Sequence, residues 1–173
     1  MSTVPGDAAS LSSCAVTVRG ASRRLAGRAD VLAVAVDEVG PGWVGRASAA
    51  TRRRCGDLAT AGTACAAELD RVATVLQDHA TDLADLVARA RAVEERAAAA
   101  GLEVRGGRVV RRLGVHGEAD AAGEGRLEDV ATGLQAELDL VLAQHARRRD
   151  FVLGVLRAST ATLAGVSHGL RRG

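Results

Sequence analysis

The sequence predicts an all-α fold: an elongated antiparallel helical hairpin plus a third long helix, with one small β-hairpin. Three observations lead there. Apolar and small residues recur in alternating steps of four and three through two long stretches, the pattern of helices packed lengthwise on one another. Those stretches are divided by "GPGWVG", residues 40–45, where proline and glycines break any helix. A third periodic stretch with a broader apolar stripe follows a glycine-rich segment.

The first seam runs through Leu11, Ala15, Val18, Ser22, Leu25, Ala29, Leu32, Val36 and Val39. It predicts a helix from about residue 8 to about residue 39, capped by Ser10 or a neighbouring serine or aspartate and ended by Gly40-Pro41. The second seam runs through Cys55, Leu58, Gly62, Cys65, Leu69, Val72, Leu76, His79, Leu83, Leu86, Ala90, Val93 and Ala97. Its continuity predicts one unbroken helix to about residue 100. At about 1.5 Å per residue that helix is on the order of 75 Å long against about 45 Å for the first, so it is expected to overhang.

At Gly101 the pattern changes. Residues 102–105 and 108–110 are short β-friendly runs around Gly106-Gly107, a pair suited to a primed turn and hence to a β-hairpin. The glycine-rich linker "GVHGEADAAGEG" then leads to a helix expected over about residues 124–167, with a seam of Leu127, Leu134, Leu138, Val141, His145, Val152, Val155, Ser159 and Val166 and a broader stripe that includes Leu142, Leu153, Leu156 and Leu163. The expected organisation is a hairpin at 8–100, a β-hairpin and linker at 101–123, and a third helix at 124–173 packed on the hairpin as one compact unit.

The composition limits the core. Of 173 residues 47% are hydrophobic but only 1% aromatic, Trp43 and Phe151 being the two large rings. Alanine fills little volume, so such a core is narrow and its helix axes lie close together. Lysine, isoleucine, asparagine and tyrosine are all missing; they share AT-rich codons, and a GC-rich coding sequence accounts for their absence.

The function classes that need a constellation of side chains find none here. His79 and His145 lie on seams and read as satisfied core histidines, while His116 and His168 have no carboxylates at a telling spacing, so no catalytic residues are assigned. No phosphate-cradling glycine loop opens a helix, which leaves no cofactor site. Cys14, Cys55 and Cys65 form no metal-ligand spacing, and no metal is expected. The hairpin register expected from the turn brings Cys14 opposite about residue 72, too far from Cys65 for a disulfide.

Arginines cluster at 52–54, 111–112, 147–149 and 171–172, but stacking aromatics are absent and acids stand nearby, so nucleic acid is not an expected partner at a formal net charge of +2. Arg148 falls on the third seam, where it either pairs with an acid on another helix or marks where the helix leaves the core. No apolar run approaches the length of a membrane span.

What remains is the turn. A tryptophan beside the glycines of a tight helix connection either plugs the open end of the hairpin or anchors a partner. Trp43-Val44-Gly45, with a helix of some thirty residues before it and another after it, resembles the Trp-x-Gly (WxG) hairpin superfamily of type VII (ESX) secretion substrates and their relatives. The stretch 101–173, with its hairpin, glycine-rich linker and further helix, is similar to the extension in longer three-helix actinobacterial members.

The resemblance implies a non-enzymatic protein with Trp43, Val44 and Gly45 as partner-binding residues. It would be an export substrate, or a targeting or assembly partner, bound to a small WxG-like or effector protein or forming a homodimer. It would be cytoplasmic before export and then secreted by the type VII system. The family's export signal, a tyrosine followed four residues later by an acid, has no counterpart in a chain without tyrosine, so export would draw its signal from a partner. No toxin domain is expected to follow the third helix. The competing reading is a self-associating helical scaffold unrelated to secretion.

Overall fold

The computed structural model describes residues 3–39, 42, 44–112 and 121–172. Gly40, Pro41, Trp43 and the linker residues 113–120, His116 among them, lie outside the described residues. The elements in chain order are α1 (Ala8–Val39), α2 (Arg46–Ala99), β1 (Leu102–Arg105), β2 (Arg108–Arg111) and α3 (Ala121–Arg172). The fold is therefore all-α with one small β-hairpin, as the periodicity predicts.

Element ends follow local chemistry. Because α1 begins at Ala8, Asp7 holds the N-cap position and Ser10 falls inside the first turn, one turn later than a cap would stand. α2 ends where Gly101 takes φ +75° and its N–H bonds back to the Ala98 carbonyl. In the β-hairpin Gly106 and Gly107 both have positive φ, 58° and 78°, the primed turn that a two-residue connection requires. β1 and β2 pair antiparallel, with Arg105 opposite Arg108 and Leu102 opposite Arg111. α3 starts at Ala121 and runs to Arg172, so part of the expected linker and the tail are helical.

The described residues group into two compact units: residues 1–8 with 79–151, and residues 9–78 with 152–173. In the first, Val93, Ala97, Leu102, Leu134 and Leu138 form a core against which Val104, Val109, Leu127, Ala131 and Leu142 pack. The β-hairpin is tied to α3 by one side chain. Gln135 Oε1 accepts from the Val109 N–H at 2.8 Å and Gln135 Nε2 donates to the Gly107 carbonyl at 3.2 Å, so an amide stands where a third strand would. α2 and α3 run antiparallel here: Arg96 pairs with Glu137, and Arg89 donates to Gln144 at 2.6 Å. The segment before α1 also belongs to this unit, where Val4 is buried and Thr3 hydrogen-bonds Glu94.

In the second unit α1 and α2 are antiparallel. Ser12 donates to Gln77, Arg19 reaches Asp70, and the buried Ser22 hydroxyl donates to the Ala66 carbonyl at 2.7 Å. The first two pairs bracket Cys14 opposite about residue 75, about one helical turn farther along α2 than the turn alone suggests. All three cysteines are free thiols. Ala15, Val72, Leu76 and Val152 form the core, so α3 contributes to this unit as well. Ala29 and Gly62 sit at the α1–α2 contact, where a Cβ on Gly62 would come within 3.1 Å of the Ala29 Cβ.

Two expected apolar positions depart from expectation. Leu153 on α3 turns outward while its neighbours Val152 and Ser159 take the buried places, and Leu58 on α2 is exposed rather than buried. The small residues Ala59, Ala66 and Ala73 are the buried ones on this part of α2, and turning them inward rotates Leu58 out of the seam.

Candidate functional site

Two of the three turn residues singled out in the sequence are described. Val44 is 85% exposed, so its side chain contributes nothing to the core of the unit. Gly45 stands immediately before α2 as its N-cap: its carbonyl accepts from the Ala49 N–H at 3.1 Å, the first bond of the helix, and from the Ser48 hydroxyl at 2.9 Å. Its φ is +120° and a Cβ built there would meet nothing within 4 Å. Glycine is required at this position by backbone conformation and not by lack of space. Trp43 lies outside the described residues, so its side chain carries no geometric argument.

The first unit holds a polar cluster that sequence reading picked out only in parts. His79 on α2 and His145 on α3 are both buried, as their seam positions predict. His79 is not fully satisfied, because its Nδ1 is buried without a hydrogen-bond partner. Arg148 takes the first of its two expected options: its Nε lies 2.6 Å from Asp82 Oδ2 on α2, and its guanidinium carbon stands 5.3 Å from the centre of the Phe151 ring. Asp82 is the residue the sequence reading missed. It stands three positions after His79, on the same side of α2, and an acid at that spacing from a seam histidine is the signal that could have found it.

Burial pushes the His79 imidazole below its ordinary value. The Arg148 and His145 charges push the same way, and Asp82 partly opposes them. In the second unit Arg71 bonds both Glu68, at 2.5 Å, and the Ser159 hydroxyl, at 2.8 Å. The Arg71 hydrogen bond, reinforced by Ser159, holds the Glu68 carboxyl below the usual range. Among the described residues no three His, Cys, Asp or Glu side chains are placed to share a metal ion. Nor is any helix among them long and apolar enough to cross a membrane.

A scan against protein-family models and searches of curated proteins and of solved structures found no match. The candidate residues therefore stand on their own, unit by unit: in the second unit an exposed Val44 and a Gly45 that its backbone angle requires, and in the first the buried His79 and His145 with the Asp82–Arg148 ion pair.

Two outcomes follow from this geometry. Gly45→Ala places a Cβ at φ +120° and should lower stability by about 1–3 kcal/mol, whereas Gly56→Ala, inside α2 with open space and no left-handed φ, should not lower it; urea unfolding of both variants measures the difference. The fold prefers neutral His79, while the unfolded chain takes up its proton at about pH 6.5, so this contribution is complete above that pH and is lost as the pH falls below it. Melting temperatures at about pH 7.5 and 5.5 should fall less far apart in His79→Leu than in the wild type. An equal fall would place the acid sensitivity elsewhere.

Proposed function

We propose that this chain is a non-enzymatic helical protein of the Trp-x-Gly type, serving a type VII export pathway as a substrate or as a targeting or assembly partner through helix–helix association. One observation carries the reading. Two long antiparallel helices meet at Trp-x-Gly, the glycine of that motif caps α2 in a conformation that favours glycine, and the residue between them is turned to solvent. Single exposed valines are ordinary on a protein surface, and what supports a partner-recognising tip is that this one stands in sequence between Trp43 and the capping Gly45, in the turn that separates the two helices.

The third helix and the β-hairpin are compatible with the same reading, since they add core contacts of their own without using the turn. In this reading the exported species is a complex, with the missing tyrosine-based signal supplied by the partner.

The test is Trp43→Ala, measured two ways on one preparation. The melting temperature should stay close to that of the wild type, and co-purification with a small helical protein encoded beside it, or export of the pair from a host with a type VII system, should fall. The opposite pattern contradicts the proposal: a loss of about 3–5 kcal/mol, as for an internal aromatic, with partner binding and export unchanged.

A further inference from the structure

An apolar groove opens in the second unit. Leu58, Ala61 and Ala64 of α2 face Val166 and Leu170 of α3 across a cleft of about 420 Å³. Its edge is basic: Arg54 lines it, Arg53 precedes on α2, and Arg171 and Arg172 follow Leu170 on α3, against the single acid Asp57. Leucines on two facing helices, held apart with arginines along the rim, form a seat for one more helix with an apolar stripe and acidic flanks.

The same unit carries a helix face of that description. On α1, Val31 is 70% exposed and Val34 55% exposed. Asp30, Asp37 and Glu38 flank them, and residues 30–38 contain no basic side chain. This face cannot reach the groove of its own chain. α1 already buries its opposite side on α2, Ala29 against Gly62, which directs Val31 and Val34 away. The same contact sets 30–38 level with the turns of α2 that line the groove.

We infer that the groove receives the acidic, valine-bearing face of α1 from a second copy of this chain. Because each copy carries both the face and the groove at one level of the unit, a two-fold arrangement satisfies both contacts at once and closes as a dimer. The acids of one copy then meet the arginine rim of the other, which makes the association salt-sensitive and sets its register. The inference makes no use of the Trp-x-Gly turn and stands apart from the export reading.

Charge exchange tests it. Sedimentation velocity over a concentration series at low and high salt should show wild-type self-association that weakens with salt. Asp37→Arg/Glu38→Arg and Arg54→Glu/Arg172→Glu each place like charges together and should weaken self-association about tenfold or more. An equimolar mixture of the two variants should restore it to within about threefold, because both contacts of the mixed dimer are again complementary. All four side chains are exposed, and circular dichroism should show unchanged helix content; Val34→Ser and Leu58→Gln give the uncharged version of the same comparison. A wild type that stays monomeric overturns the inference in favour of a foreign helix as occupant. Variants that associate as the wild type does, or a mixture no better than its components, overturn it too.

Discussion

Where α1 crosses α2, an alanine faces a glycine, and the space left for a methyl group on that glycine ends 3.1 Å from the alanine Cβ. A chain with so few aromatic side chains cannot hold helices together across a wide core; it brings their backbones close and gains its contact energy from many small, dense contacts. Ser22, Ala59, Ala66 and Ala73 extend the same line, and the Ser22 hydroxyl spends its polar group on the Ala66 carbonyl, so that even a buried serine tightens the contact.

That close approach decides where the large side chains go. With alanine and glycine inside, Leu58 on α2 is displaced to the groove, and Val31 and Val34 on α1 are left outside. The first unit solves the same problem differently. Leu83, Leu134 and Leu138 are buried there and the β-hairpin caps the core, its backbone held by Gln135. Two imidazoles, His79 and His145, occupy core positions there, and the Asp82–Arg148 pair joins α2 to α3 close to His79, polar groups in an otherwise apolar core.

The helices, the β-hairpin and its primed turn were legible because each has a period or a dipeptide that belongs to it alone. The α1 seam was legible in every position whose side chain is described. What the period does not encode is which neighbour a face meets. Leu58 fits the seam by spacing, yet a preference for small residues at the crossing overrides it. The buried Val4 had no signal, since the seven residues before α1 are too short a stretch to carry a period of their own. Asp82 was hidden for another reason: an acid on a helix reads as solvated until the partner helix is placed beside it. At the turn, the need for glycine at position 45 comes from a backbone angle that only the folded chain displays, whereas the place of Trp43 rests on its letters.

The claim that dense small-residue contact holds α1 on α2 is tested most directly by adding volume at Gly62 and, as a control on the same helix, at Gly56, where an added Cβ meets nothing within 4 Å. Urea unfolding should show Gly62→Val losing about 1–3 kcal/mol relative to Gly56→Val, with Ala29→Gly in the same chain returning most of the loss. Equal stability of the two valine variants, or no recovery from Ala29→Gly, would contradict the account.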